Sequence, residues 1–186
     1  MARLLYTVIS SLDGFHADEN GSFDWAVPDA EVHAFINDLE RPTGTHLFGR
    51  RMYEMMKGWE TALDGPDQQP VMLDFARLWL DTDKIVYSRT LTDVSTARTR
   101  IEREFDPAAV ARLKESATRD LSVSGPVLAR DAFAAGLVDE CRVFVTPVLL
   151  GGGQQAFPVG VRQGLELLEE LRFKGGTVYL RYATRP

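Results

Sequence analysis

The chain has 186 residues and a formal net charge of -6, with no lysine- and arginine-rich block, which excludes the clustered cations that a nucleic-acid partner requires. That length supplies one well-buried core and no Pro/Gly/Ser-rich linker divides it, so a single domain over residues 1–186 is expected. Cys141 is the only cysteine, which rules out an internal disulfide and fits a reducing, cytoplasmic setting, and the opening MARLLYT is too short and too polar for a signal or a membrane span.

In chain order, LLYTVIS over residues 4–10 is apolar and β-branched and is closed by Asp13-Gly14, so it reads as a first strand. A long polar loop follows, through Trp25. Val32, Phe35, Ile36 and Leu39 then fall at i, i+3, i+4 and i+7 behind Pro28-Asp29, which predicts a helix ending near Pro42. Residues 45–48 form a second strand, and Gly49-Arg50-Arg51-Met52-Tyr53-Glu54 turns into a second helix. A helix over 71–80 precedes a strand over 84–87, and the polar stretch 88–104 holds one short strand at most. Asp106 as N-cap with Pro107 at the first helical position opens a helix through about residue 117. Leu121-Ser122-Val123 is a strand ending at Ser124-Gly125-Pro126, with a helix from 127 to about 135. A strand near 142–146 comes next, and the apolar run VFV continued by PVLL to residue 150 suits a strand covered on both faces. At the carboxyl end Val178, Leu180 and Tyr182 alternate with Tyr179 and Arg181, and Lys174-Gly175-Gly176 supplies the turn of an antiparallel hairpin. Strands alternating with helices predict an α/β fold: a mostly parallel sheet, helices on both faces, and an antiparallel edge.

Two glycine turns close predicted strands, Ser124-Gly125-Pro126 and Gly151-Gly152-Gly153. In a doubly wound sheet both lie at carboxyl ends, where ligands bind, and the first opens a helix whose free N–H groups and dipole favour an anion. A tight turn alone accounts for one such glycine; the pair, separated by one helix and one strand, fits a diphosphate. Phe48-Gly49-Arg50-Arg51 is another strand end feeding a helix, and Ser88-Arg89-Thr90 repeats it one crossover later. Arginine donates paired hydrogen bonds to phosphate and stays charged, although either pair alone is also what a solvated surface carries. Asp13, Trp25 and Glu31 make a third group, in which a carboxylate beside a water-excluding indole can hold a nitrogen heterocycle or help to protonate it. The helix dipole is a sufficient reason for Glu31 by itself. His16, His33 and His46 lack metal-ligand spacing, so no metal site is expected. Neither GxSxG, GxGxxG nor GxxxxGK[ST] occurs, and Cys141 beside Asp139-Glu140 reads as core.

The order of these motifs resembles the dihydrofolate reductase-like superfamily, and within it the reductase domain of bifunctional riboflavin-biosynthesis deaminase/reductases. Ser11-Leu12-Asp13-Gly14 is similar to the first-strand SLDG motif, LFGRRMYE at 47–54 to the GR-x-x-[YW]-E turn, and IVYSRT at 85–90 to the [VF]-S-R-T segment. AGLVDE at 135–140 with PVLLGGG at 147–153 is similar to the GLVDE…P-x-x-LGGG signature. The resemblance spans nearly the whole chain and implies a dihydrofolate reductase-like three-layer sandwich that uses NADPH to reduce a small heterocyclic, pyrimidine- or pterin-like substrate, often as a homodimer. It implies that Gly49, Arg50 and Arg51 hold cofactor phosphates and that Ser88 and Arg89 approach the adenosine 2′-phosphate. Ser124, Gly125, Pro126, Val127 and Leu128 would meet the diphosphate, with Gly151 and Gly152 on the same rim. Asp13, Trp25 and Glu31 become the catalytic, substrate-side residues, Trp25 walling the cleft and Glu31 standing near the position of a pterin-binding acid. Ser124 replaces the first glycine of the usual pair, and Pro126 has no N–H to give a phosphate. The alternative is a non-catalytic nucleotide- or folate-binding protein that retains the fold.

Overall fold

A computed structural model describes residues 1–65 and 69–185. β1 (Leu4–Ser11) runs through the middle of the sheet, and the short β2 (Phe15–Ala17) follows its turn. α1 (Ala30–Glu40) starts at Asp29, whose Oδ1 accepts the Val32 N–H at 2.9 Å and so satisfies one of the free amides of the first turn. β3 (Thr43–Gly49) leads directly into α2 (Arg50–Met56). α3 (Pro70–Asp81), β4 (Asp83–Tyr87) and β5 (Thr99–Glu102) come next. α4 (Pro107–Ser116) has the expected start, with Asp106 accepting from Ala108 N and proline at the first position. β6 (Asp120–Ser124), α5 (Pro126–Ala134) and β7 (Glu140–Thr146) complete the alternation, and β8 (Gln154–Gln155), β9 (Gly164–Arg172) and β10 (Val178–Arg185) end the chain.

Eight strands form one sheet in the order β5-β4-β3-β6-β1-β7-β10-β9. The first six are mutually parallel; β10 runs antiparallel to β7, and β9 antiparallel to β10. The carboxyl ends of β1, β3, β4, β6 and β7 therefore emerge along one rim. α4 and α5 cover one face through Val110, Leu128, Ala129 and Phe133, packed on Leu4, Tyr6, Leu47, Ile85 and Val123. On the other face α1 sits over Phe144 and Tyr179, and α2 with α3 over Phe48 and Val86. Each large apolar side chain buried to this degree contributes about 1.5–3 kcal/mol. The fold is thus the expected α/β three-layer sandwich with an antiparallel carboxyl-terminal hairpin.

Two expectations are corrected. The strand expected to run on through PVLL stops at Thr146, opposite Ser11 of β1, and Leu149 is 69% exposed. Pro147 has no N–H for the ladder, and Val148 N turns back onto Thr146 O at 2.8 Å. The polar loop after β1 is not wholly irregular, because β2 pairs with β8 as a separate two-stranded sheet. Those pairings, Phe15 with Gln155 and Ala17 with Gln154, join segments far apart in the chain, beyond the reach of local pattern.

Candidate active site

β3 and β6 are neighbours, with Phe48 opposite Ser124, so Gly49 and Gly125 leave the sheet side by side. Each is the N-cap of a helix and neither start carries a side-chain cap. A Cβ at Gly49 would stand 4.0 Å from Leu128 Cβ, and one at Gly125 3.8 Å from Met52 Cβ, so the starts of α2 and α5 are packed against each other. Gly125 holds φ +92°, a left-handed conformation that glycine adopts without strain. The first bond inside α5 runs from Ala129 N to Gly125 O at 3.0 Å, and Pro126 has no N–H, which leaves the Val127 and Leu128 amides facing out of the helix start. The positive end of the dipole and these amides suit an anion.

The end of β4 joins the same rim. Arg50 Nη1 donates to Thr90 Oγ1 at 2.9 Å, tying α2 to the loop after β4. Ser88 is buried, and its Oγ accepts the Thr90 and Leu91 amides at 3.3 and 3.0 Å, so its hydroxyl shapes this loop. Arg103 donates to Ser88 O at 3.1 Å and to Leu91 O at 2.6 Å. Arg50, Arg51 and Arg89 are all exposed around this corner. Thr90 belongs to the Ser88-Arg89-Thr90 segment singled out in the sequence, whereas sequence pattern gives Arg103 no role: an arginine inside an ambiguous polar stretch bears no motif.

Asp13 and the triple glycine are joined to each other. The Asp13 carboxylate accepts the Leu150 amide at 3.1 Å, the Gly151 amide at 2.7 Å and the Ser11 hydroxyl at 2.7 Å. These bonds, the one from Ser11 foremost, hold its pKa below the usual aspartate value, because they stabilise the ionised form. Gly153 lies on the β2 backbone, where a Cβ would fall 2.2 Å from Ala17 O, and a Cβ on Gly152 would lie 3.2 Å from Glu19 Oε1. The glycine run thus brings main chain against main chain.

Beside this rim, over β1 and β7, lies a cavity of about 250 Å³. Ile9, Phe144 and Thr146 form its sheet side, and Trp25, Asp29 and Gly175 its walls. Trp25 rides on a single 3-10 turn, Asp24–Ala26, and its indole N–H is buried without a partner among the described residues. Thr146 Oγ1 donates to Ser10 O at 3.0 Å and so keeps its lone pairs for another donor. The turn of the β9–β10 hairpin packs on the start of α1: a Cβ at Gly175 would come within 2.7 Å of Asp29 Oδ2. Glu31 is placed differently from the expectation. Its Oε2 accepts the Lys174 amide at 3.2 Å, while the carboxylate that lines the cavity is that of Asp29. In a helix start the N-cap and the second helical residue point in different directions, and only the cap faces β7. A capping aspartate is explained by the helix alone, so nothing in the sequence marked it out.

Sheet order, uncapped helix starts and an adjoining strand-end cavity together define an α/β domain of the dihydrofolate reductase-like kind. The chain belongs to the RibD C-terminal domain family, whose pattern matches residues 2–179. It is 28% identical over 184 residues to the uncharacterized protein YyaP of Bacillus subtilis (strain 168), covering 97% of this chain and 94% of that one. The crystal structure of a putative riboflavin biosynthesis protein from Shewanella sp. PV-4 superposes with a TM-score of 0.76 at 21% identity, each chain covered in full. A diaminohydroxyphosphoribosylaminopyrimidine deaminase/5-amino-6-(5-phosphoribosylamino)uracil reductase from Thermotoga maritima superposes with a TM-score of 0.67 at 11% identity, over 99% of this chain and 57% of that longer one. At those identities the two structures establish the fold alone. Among the described residues no helix is long and apolar enough to cross a membrane, and no His/Cys/Asp/Glu group is arranged to hold a metal ion.

Proposed function

We propose that the chain, as a single domain, is an NADPH-dependent reductase acting on a small pyrimidine- or pterin-like heterocycle. The observation that carries this reading is the uncapped start of α5 beside Gly49 and Arg50, on the same rim as a cavity walled by Trp25 and Asp29. The fit to a dinucleotide is chemical: free amides at Val127 and Leu128 for a diphosphate, and Arg50, Arg51 and Arg89 around Ser88 for a further phosphate. Ser124, Gly125 and Pro126 shape that turn, and Gly151 and Gly152 bound the rim beyond β7. β6 and β7 flank β1, so the anion corner and the cavity lie about 10 Å apart across the sheet. NADPH, when bound, supplies hydride to an electrophilic carbon, and the protein's part is to orient the acceptor and exclude water. Asp29 and Thr146 hold the N–H and amino edge of the ring, Trp25 shuts out solvent, Asp13 fixes the glycine run, and Glu31 fixes the hairpin turn that closes the cavity.

Titration of NADPH fluorescence, with NADH as control, followed by absorbance at the nicotinamide band across a panel of pterins and pyrimidines, tests the proposal. Binding of NADPH with oxidation by at least one such heterocycle is expected. Binding without oxidation would instead favour a non-catalytic nucleotide- or folate-binding protein, and failure to bind either nucleotide removes both. Homodimerisation and a cytoplasmic setting belong to the same reading. Every residue of β9 is exposed, with Leu165, Leu167, Leu168 and Leu171 between 40% and 48%, an apolar edge suited to burial by a second copy.

A further inference from the structure

Across Val27 and Pro28, which wall the first cavity, lies a second one of about 370 Å³ between α1 and the start of α3. Val27, Val71 and Met72 make it mainly apolar, and His33 and Gln69 supply its polar groups. His33 is 9% exposed and its ring is fixed on three sides. The rings of Phe75 and Trp59 meet it edge-on at 5.8 and 6.1 Å. Its Nδ1 lies 3.1 Å from Asn37 Oδ1, and Asn37 Nδ2 donates to Val71 O and to Asp74 Oδ2, both at 2.9 Å. Because those two bonds orient the Asn37 amide, its Oδ1 is the acceptor and His33 Nδ1 carries the proton. With Nδ1 as the donor to Asn37, Nε2 is the ring's remaining acceptor position, and that atom makes no bond among the described residues. The same residues show what is missing: among the described residues no lysine or arginine lines either cavity, and the one carboxylate is Asp29. A phosphate there would find no counter-charge and one like charge.

We infer that the substrate is an unphosphorylated heterocycle whose substituent crosses Val27-Pro28 into the α1–α3 cleft, lying against Val71 and Met72 and donating one hydrogen bond to His33 Nε2. This rests on the proposed seating of the ring beside Asp29, and it separates this chain from a reductase of phosphoribosylated pyrimidines such as the Thermotoga maritima protein. Calorimetric titration of the full chain with NADP⁺ present, so that no turnover occurs, tests it with three compounds. These are 5,6-diaminouracil, 5-amino-6-(3-hydroxybenzylamino)uracil and 5-amino-6-(5-phosphoribosylamino)uracil. The hydroxybenzyl compound is expected to bind about tenfold or more tightly than diaminouracil, a gain in the range of one buried ring and one hydrogen bond. The phosphoribosyl compound is expected to bind no more tightly than diaminouracil. His33→Phe should remove about tenfold from the hydroxybenzyl compound and leave diaminouracil unchanged. Met72→Arg, a gain that misfolding does not imitate, should strengthen the phosphoribosyl compound about tenfold. Tightest binding of the phosphoribosyl compound to the unaltered protein, or indifference of the hydroxybenzyl compound to His33→Phe, overturns the inference. If diaminouracil does not bind while the hydroxybenzyl compound still depends on His33, the ring site beside Asp29 fails and the second subsite stands.

Discussion

The Asp13 carboxylate illustrates how much backbone one side chain can order, since the Leu150 and Gly151 amides both end on it. Its pKa is lowered by the Ser11 hydrogen bond first and the Gly151 amide next. A depressed folded-state pKa adds stability above the unfolded value, and that contribution is lost as pH falls through the folded one. The thermal midpoints of the wild type and of Asp13→Asn should therefore differ at neutral pH and converge as pH drops below the usual value of 3.8. Parallel curves across that range would deny the clamp. At Gly125 the reason for glycine is backbone angle, since a Cβ there meets nothing closer than 3.8 Å. Gly125→Ala should cost about 1–3 kcal/mol from φ +92° alone and weaken NADPH through the tilted amides of α5. Denaturant unfolding and nucleotide titration read the two effects separately. For Arg50 and Arg51, replacement of both by alanine should weaken NADPH more than NADH if, as proposed, their guanidinium groups pair with the extra phosphate; equal weakening in the two titrations would count against the assignment.

Among the elements, the β2–β8 pair depends on one residue, Gly153. A Cβ on Gly153 would stand 2.2 Å from Ala17 O and 3.0 Å from Asp18 Cα, both backbone, so neither a rotamer change nor a small shift relieves it. Gly153→Ala should detach β8 from β2, with the Ala156 amide, bonded to Gly14 O at 2.9 Å, losing hydrogen-exchange protection. Val143, paired with Val8 inside the main sheet, should keep its protection; loss at both positions would show that the small pair is not a separate unit. The β9–β10 turn plays a comparable part on the other side of the cavity. Gly175 against Asp29 and the Lys174 amide on Glu31 make the start of α1 and the end of the hairpin one wall.

For the molecule as a whole, Cys141 offers an internal gauge. It lies in the central cluster on β7, and burial pushes its thiol pKa up to about 12. A disulfide reagent at pH 8 should modify it only as fast as the sheet opens, with the rate rising alongside global unfolding in urea. Rapid labelling of the folded chain would mean that the core over β7 is open. At the rim opposite the candidate site Arg3 bridges Asp120 and Glu140 at 2.5 Å each, and Arg142 donates to Leu39 O. If a second copy covers β9, sedimentation should return a dimer, and replacing Leu167 and Leu168 by lysine should return a monomer with the fold intact.

The sequence by itself determined the alternation of strands and helices, the antiparallel hairpin and the strand-to-helix turns at Gly49-Arg50 and Gly125, because periodicity, capping and turn chemistry act over a few residues. The four family-like motifs ordered those pieces along the chain. Tertiary structure alone decided that Asp13 would close on Leu150 and Gly151, that β2 would find β8, and that Asp29 rather than Glu31 would line the cavity. It likewise decided that the Asn37 amide would orient His33 beside a cleft whose lining, among the described residues, includes no lysine or arginine. Each of these is a contact between segments distant in sequence or a direction taken by one side chain at a helix start. Local pattern carries no information about either; the packing of α1, α3 and the hairpin on one sheet does.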